Sequence, residues 1–185
     1  MSSLEKINEI FFLYENYGNR DYIGEKVSQI EHMIQAAMLA EEDKQPEFVI
    51  LAALFHDIGH LVVLDTCEDK DYLGAKNHEH IGSLYLSNQG IPYPIPHLVK
   101  SHVLAKRFLV STQNFYYNTL SPSSKLTLEQ QGGKLSEMEC KSFKSHHLYN
   151  EMIKIRLYDD EAKVKGKEIK PLEYYKQMCI KYLKL

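Results

Sequence analysis

Apolar residues repeat at the three- and four-residue spacing of an α-helix along most of this 185-residue chain. That spacing places them on one face of each helix, and the sequence shows no run of the strict alternation that would indicate a β-strand. Glycine and proline residues separate the periodic segments, notably at Gly18, Pro46, Gly90 and Gly166. The pattern therefore predicts an all-α fold.

The same periodicity gives approximate helix boundaries. Helices are predicted over residues 4–17, 27–42, 46–55, 78–88, 95–110, 137–158 and 172–183, with one short helix inside 111–135. Residues 61–76 and 160–170 are predicted to be loops. No linker or internal repeat divides the sequence, so we expect a single-domain helical bundle over residues 1–185. Its core should cover about residues 20–180, with the 4–17 helix packed on it.

Composition argues against several classes of partner. The formal net charge is −3 and the basic residues are scattered, so neither a nucleic acid nor an anionic membrane is expected to bind. The lysine-rich stretch over residues 163–170 is interpreted as solvated surface. No apolar run approaches the roughly 20 residues that span a bilayer. Cys67, Cys140 and Cys179 form no paired motif, and we expect a cytoplasmic protein that is a monomer or a small homo-oligomer.

The strongest functional signal is the segment AALFHDIGH, residues 52–60. An apolar helix ends here in His56 and Asp57, and His60 lies four residues after His56. A carboxylate buried beside imidazoles is costly unless a cation pairs with it. Gly59 would let another backbone approach closely. Because a His-Asp pair is very common at ordinary helix ends, the pair taken alone is better explained as a helix C-cap with ordinary hydrogen bonds.

Histidines elsewhere in the chain favour the metal hypothesis. His32, His78 and His102 lie on three separate predicted helices, and Asp159 lies near the end of another. A single histidine on an apolar helix face is more often a packed core residue, whereas inward-facing ligands from several helices are typical of metal sites in bundles. The sequence therefore predicts a metal centre built from His32, His56, Asp57, His78, His102 and Asp159.

Longer blocks of sequence carry a family resemblance over about residues 20–180. They are DYIGE (21–25), QIEH (29–32), AALFHDIGH (52–60), HVLAKRFLVS (102–111), LEQQGG (128–133) and KIRLYD (154–159). With these blocks the chain resembles the HD-domain superfamily and, within it, the mixed-valent di-iron oxygenases that act on 2-amino-1-hydroxyethylphosphonate. The DYIGE block and the His-x-x-x-Lys-Arg spacing at His102 are more specific than the His-Asp pair.

The resemblance implies a role for each matching position. Asp57 would bridge two irons, the first completed by His32, His56 and Asp159 and the second bound by His78 and His102. Tyr22 would be a movable ligand of the second iron, displaced together with Glu25 when substrate arrives. His60 and Lys106 would contact substrate near the metals. The phosphonate would be held by Ser124, Thr127, Gln131 and Arg156.

The resemblance also implies a reaction, with an Fe²⁺/Fe³⁺ pair as cofactor and O2 as co-substrate. The C–P bond of a small 1-hydroxy-2-aminoethylphosphonate would be cleaved to phosphate and glycine or a related acid. The alternative is a metal-dependent phosphohydrolase acting on a phosphomonoester or nucleotide, the commonest activity in this superfamily. A non-catalytic ligand-binding HD module is a third hypothesis. The substituent on the substrate amine is left open.

The residue types agree with these roles without proving them. Lys106 lies four residues after His102 and would point into the same cavity, and a dianionic phosphonate needs cations and hydroxyl or amide donors. Alternatively, Lys106 and Arg156 are surface charges, Ser124 and Thr127 are helix caps, and Tyr22 and Glu25 only pack or face solvent. Imidazole and carboxylate ligands suit iron, zinc and manganese about equally, so spacing alone does not identify the metal.

Overall fold

The computed structural model describes residues 2–22, 24–66 and 77–185, and within those ranges the chain folds into helices joined by short connections. The helices are α1 (Ser3–Tyr17), α2 (Gln29–Glu42), α3 (Glu47–Phe55), α4 (Ile58–Thr66), α5 (His78–Asn88), α6 (Ile95–Thr112), α7 (Tyr116–Thr119), α8 (Pro122–Gln130), α9 (Glu137–Lys144), α10 (Tyr149–Glu161) and α11 (Leu172–Tyr182). The only β-type pairing in those ranges is an isolated antiparallel bridge between Asp21 and Ser28. Ile23 and Cys67, both used in the sequence analysis, lie outside the described residues.

The predicted all-α class is confirmed, while three predicted boundaries are wrong. Residues 61–66 belong to α4 instead of a loop. The 111–135 segment holds two helices, α7 and α8, where one was expected. The helix predicted over 137–158 is divided into α9 and α10 by a break at residues 145–148.

Helix α3 lies at the centre of the bundle because it is apolar on every side. All residues from Val49 to Phe55 are buried, and a helix that is hydrophobic all round must be surrounded by other elements. It packs against α2, α6, α10 and α11, while α2 and α6 also pack against α10. The four helices α2, α3, α6 and α10 therefore form the frame that carries the site.

Helix α1 covers one side of this frame. It contacts α4 and α11, and the hydroxyl of the fully buried Tyr14 donates a hydrogen bond to the carbonyl of Leu54 over 2.8 Å. That bond satisfies both polar groups in the core. The contact fixes α1 to the last turn of α3, directly before the His-Asp pair.

Helices α3 and α4 are nearly continuous, with a bend of 43° between them. None of the described helices is by itself long and apolar enough to cross a membrane, and this bent pair passes such a test only when the two are taken together. The bend falls at His56 and Asp57, so both side chains lie at an interruption of the helix.

Candidate metal centre

Six buried side chains from four helices and one helix junction meet at the centre of the bundle. His32 lies on α2, His102 on α6 and Asp159 on α10, whereas His78 is the first residue of α5. His56 and Asp57 occupy the bend between α3 and α4. The structure thus brings together all six residues that the sequence predicted as ligands, and each is at most 8% exposed.

A close approach between α4 and α5 places His78 beside Asp57. A Cβ atom on Gly59 would lie 2.0 Å from the carbonyl oxygen of His78, and one on Gly82 would lie 3.0 Å from the backbone nitrogen of Gly59. Such distances leave no room for a side chain, so glycine is required where the two helix starts meet. The expectation that Gly59 allows a close approach is therefore met by the backbone of α5.

Four of the six side chains form the first ligand set. The Nε2 atoms of His32 and His56 are 3.0 Å apart. Oδ2 of Asp57 lies 3.5 Å from each of these nitrogens, and Oδ1 of Asp159 lies 3.4 Å from that of His32 and 3.8 Å from that of His56. Two nitrogens and two carboxylate oxygens therefore surround one point.

The second ligand set uses the other oxygen of Asp57. Its Oδ1 lies 3.2 Å from Nε2 of His78 and 3.5 Å from Nε2 of His102. The two imidazole nitrogens are 3.0 Å apart. Because Oδ2 faces the first set and Oδ1 the second, Asp57 lies between two neighbouring cation positions and is placed to bridge them.

The hydrogen bonds of the imidazoles show why a cation belongs there. The Nδ1 atoms of His32, His56 and His102 lie 2.9, 2.8 and 2.7 Å from the carbonyls of Ala162, Ala53 and Val99. A carbonyl only accepts, so each Nδ1 carries the hydrogen and each Nε2 is the ring nitrogen left facing the centre. These nitrogens face one another and two carboxylates, an arrangement suited to a shared cation.

The spacing of the ligand atoms also matches a metal ion. Atoms bound about 2.1 Å from one ion lie about 3.0 Å apart at neighbouring octahedral positions and about 3.4 Å apart in a tetrahedron. The contacts described above run from 3.0 to 3.8 Å. Two groups, His32–His56–Asp57 and Asp57–His60–His78, have one ligand atom from each member within 4.8 Å of the others. The donors are nitrogen and oxygen, which iron accepts.

The pKa shifts of the site residues show the same concentration of negative charge. Burial alone would raise the pKa of Asp57, but the imidazoles of His56, His32 and His78 outweigh burial and hold it well below its usual range. Burial would likewise lower the pKa of His32, yet hydrogen bonds to Asp159 and Asp57 raise it to about 9. The carboxylates of Asp57 and Asp159 therefore favour positive charge at His32, and a metal ion bound there would require the neutral ring.

His60 lies beside the second ligand set with its ring stacked on that of His78, the centroids being 4.2 Å apart. Burial first, and then the charge of His78, lower the pKa of His60 to about 3. The ring is therefore neutral at physiological pH. A neutral imidazole next to the metal position can donate or accept a hydrogen bond, which fits the predicted contact with substrate.

A second polar cluster adjoins the centre and contains the residues predicted to hold the phosphonate. Nζ of Lys106 donates to Oγ1 of Thr127 over 3.1 Å and lies 3.4 Å from the carbonyl of Ser124. An amino group of Arg156 lies 3.4 Å from the hydroxyl of Ser124. Lys106 and Arg156 are each only 2% exposed, so neither is a surface charge. We call Lys106, Ser124, Thr127 and Arg156 the cationic cluster.

Arg156 joins the cationic cluster to the metal ligands. Its Nη1 donates to Oδ2 of Asp159 over 2.8 Å, its Nε donates to the hydroxyl of Tyr116 over 3.0 Å, and a short ion pair connects it to Asp160. Tyr116 and Asp160 are not among the site residues predicted from the sequence. The four-residue spacing from Arg156 to Asp160 was an available signal, whereas nothing local pointed to Tyr116.

Gln131 follows α8 and retains unused hydrogen-bonding capacity. Its Oε1 atom is buried without a partner, and its backbone N–H caps α8 through the carbonyl of Thr127 at 3.0 Å. A buried side-chain amide without a partner is costly. This Oε1 oxygen only accepts, so it is suited to an N–H or O–H group of a ligand and not to a phosphonate oxygen.

Tyr22 and Glu25 lie in a short connection between α1 and α2. The ring of Tyr22 stacks on that of His32 with the centroids 4.2 Å apart. Burial and the charges of Asp57 and Asp159 raise its pKa. Glu25 pairs with Lys163, the two charged atoms being 3.3 Å apart. The sequence analysis had assigned Lys163 to solvated surface, and this contact shows that the assignment was wrong for that residue.

Comparison with known proteins places these features in a family. The HD domain family model matches residues 29–165. An uncharacterized protein of Acanthamoeba polyphaga mimivirus is 44% identical over 181 residues, covering 97% of this chain and 83% of that protein. The glycine-betaine-forming (1-hydroxy-2-(trimethylamino)ethyl)phosphonate dioxygenase of Leisingera caerulea is 35% identical over 166 residues, covering 88% and 84%. The hydroxymethylphosphonate dioxygenase of Gimesia maris is 34% identical over 175 residues, covering 92% and 85%.

The family predicted from the sequence blocks is thereby confirmed. The match to the HD domain includes all six residues of the candidate metal centre, and two relatives that cover most of the chain are named as dioxygenases. The chain therefore belongs to the HD-domain family, as a metal-dependent HD-domain oxygenase that resembles the phosphonate dioxygenases.

Proposed function

We propose that this oxygenase uses two iron ions and O2 to cleave the C–P bond of a small 1-hydroxyphosphonate. The observation that carries the proposal is the position of the cationic cluster directly beside two ligand sets that share Asp57. One part of the site is built for cations and the adjoining part for an anion. Two relatives at 35% and 34% identity are named as dioxygenases of 1-hydroxyphosphonates, which supports the same substrate class here.

The reaction balances with O2 as the only oxidant. A 1-hydroxyphosphonate, R–CH(OH)–PO₃²⁻, gains both oxygen atoms and gives R–COO⁻ and phosphate, so carbon 1 is oxidised and O2 reduced. When bound, the iron pair supplies Lewis acidity and the electrons that activate O2. With a primary aminomethyl group as R, the acid is glycine.

The cationic cluster determines where the phosphonate binds. Lys106 presents an ammonium whose three hydrogens are only partly used by Thr127 and Ser124. Arg156 adds a guanidinium that is already fixed by Asp159 and Asp160. The hydroxyls of Ser124 and Thr127 complete a set of donors suited to a doubly charged oxyanion. Binding there places carbon 1 of the substrate next to the ligand sets.

Arg156 has a second task in this proposal. Its bond to Oδ2 of Asp159 leaves Oδ1, 3.4 Å from His32, free to face the metal position. Fixing the carboxylate in this way is what an outer partner of a metal ligand does. Arg156 therefore orients a ligand and offsets substrate charge at the same time, while Tyr22 and Glu25 cover the centre.

Aerobic turnover by the iron-loaded protein tests the proposal. Three substrates are compared: 2-amino-1-hydroxyethylphosphonate, its trimethylammonium analogue and hydroxymethylphosphonate. We expect phosphate release that requires O2, with ¹⁸O from ¹⁸O2 in the carboxylate or phosphate product. Release of phosphate from phosphomonoesters without O2, and none from any of the three phosphonates, would identify a phosphohydrolase instead. The ranking of the three substrates identifies the substituent on carbon 2.

A further inference from the structure

A small backbone hairpin covers the metal centre between α1 and α2. The N–H of Tyr22 donates to the carbonyl of Val27 over 3.1 Å, and that of Gln29 to the carbonyl of Arg20 over 3.0 Å. The N–H of Glu25 donates to the carbonyl of Tyr22 over 2.9 Å. Residues 20–22 and 24–28, which we call the hairpin, thus satisfy several of their backbone groups among themselves and with the start of α2.

The hairpin rests on the helix that carries part of the cationic cluster. Gly24 has a φ of +75°, and a Cβ atom there would lie 2.2 Å from the hydroxyl oxygen of Ser123. Ser123 precedes Ser124 near the start of α8. The six metal ligands beneath are at most 8% exposed, and Lys106, Ser124 and Arg156 of the cationic cluster are at most 9% exposed. A substrate therefore needs a covering element to open.

One side chain holds the opposite side of the hairpin. Nζ of Lys163 lies 3.3 Å from Oε1 of Glu25, and the two side chains are 13% and 11% exposed. That oxygen is buried and makes no directional hydrogen bond, so the ammonium is the group that offsets its burial. The same Nζ lies 5.8 Å from the ring centroid of Tyr22, within range of a cation–π contact.

Lys163 is itself held firmly against α2. The preceding residue, Ala162, accepts a hydrogen bond from Nδ1 of the ligand His32 at 2.9 Å. The following residue, Val164, exchanges two hydrogen bonds of 3.0 Å with the side-chain amide of Gln35. Backbone bonds on both sides fix the lysine relative to the metal centre, so Glu25 is drawn to a stationary charge.

We propose that Lys163 is a positioning residue that latches the hairpin shut in the substrate-free protein through its ion pair with Glu25 and its contact with Tyr22. The importance of the latch for catalysis rests on the proposed function, because opening admits the phosphonate and closing excludes water. Entry and release are then controlled outside the metal ligands.

Hydrogen exchange at the hairpin amides of the metal-free and iron-loaded full chain tests the latch. Lys163→Met should accelerate exchange at Tyr22 and Glu25 about tenfold, as a loss of about 1.4 kcal/mol predicts. Lys163→Arg keeps the charge and should retain slow exchange. Lys167→Met is the matched control. Lys167 lies in the same loop as Lys163 and pairs with the exposed Glu42 of α2 at 3.7 Å, so its loss should leave exchange at the hairpin unchanged.

A double-mutant cycle separates the latch from general loosening. If the two charges act through each other, Glu25→Gln should accelerate exchange no more than Lys163→Met, and the double variant should exchange no faster than Lys163→Met alone. Additive effects, or equal acceleration in Lys167→Met, would overturn the proposal. Hydrogen exchange is measured without turnover, so the two proposals can fail separately. If Lys163→Met accelerates exchange but the protein cleaves no phosphonate, only the proposed function is contradicted. If the enzyme is active but exchange is unchanged in Lys163→Met, only the latch is contradicted.

Discussion

Replacing Lys106 with methionine should make the protein more stable and less active at the same time. Lys106 is 2% exposed, and burial first, then the charge of Arg156, lower its pKa from 10.5 to about 7. A shift of that size corresponds to about 4–5 kcal/mol of folding free energy lost at or below pH 7. A methionine of similar length removes the charge and fills the same space.

The net gain is smaller because hydrogen bonds are lost. The bonds from Lys106 to Thr127 and to the carbonyl of Ser124 contribute about 1 kcal/mol each. Thr127 stays satisfied, since its hydroxyl also contacts the carbonyls of Ser123 and Ser124 at 3.1 and 3.3 Å. We therefore expect Lys106→Met to gain about 2–3 kcal/mol, or roughly 5–10 °C in Tm for a chain of this size.

The pH dependence has a defined sign. The folded protein holds the Lys106 proton less tightly than the unfolded chain, so the penalty is fully present below pH 7 and disappears as the pH rises toward 10.5. The stability difference between Lys106→Met and the parent should shrink over that range. Urea unfolding of the metal-free proteins at pH 6.5 and 9.5 measures it, and Lys100→Met, an exposed lysine of the same helix, is the control. A destabilised Lys106→Met, or a difference independent of pH, would refute the reasoning.

Three further substitutions test other parts of the site. Asp57→Asn removes the negative charge that both ligand sets share. Metal affinity in a calorimetric titration should fall by more than roughly tenfold, and an unchanged affinity would mean that the carboxylate does not bridge. Gly59→Ala forces a Cβ against the carbonyl of His78. Elemental analysis should then show bound metal falling toward about one ion per chain, and two retained ions would contradict the close packing. Arg107→Met removes bonds to the carbonyls that follow α8 and should raise KM for the phosphonate several-fold with kcat nearly unchanged, whereas a loss confined to kcat would point away from substrate binding.

The sequence predicted those parts of the fold that local chemistry determines. Helical periodicity identified α1, α2, α3, α5, α6 and α11 nearly to the residue because their buried faces repeat every three to four positions. Residues 61–66 were wrongly predicted as a loop because His56 and Asp57 resemble a helix end. In the structure the helix bends there and resumes, and Leu61 and Leu64 are buried at helical spacing.

The ligands were predictable for a different reason than their neighbours. A histidine or aspartate on an apolar helix stands out in the sequence, whereas its partner across the bundle does not. Tyr116 reaches Arg156 across forty positions, and the role of Lys163 depends on Glu25, which lies far from it in the chain. A lysine in a lysine-rich loop gives no sign of such a contact. Long-range pairing of polar side chains is what the sequence alone did not provide.

Metal content combined with the electronic state of the iron tests the central claim most directly. In the proposed centre, one ion would lie between His32, His56 and Asp159 and the other between His78 and His102, on either side of Asp57. Iron-loaded protein, purified aerobically, should hold two irons per chain and show the EPR signal of an antiferromagnetically coupled Fe²⁺/Fe³⁺ pair, abolished in Asp57→Asn. One iron per chain, or two that show no magnetic coupling in any oxidation state, would contradict the bridged centre.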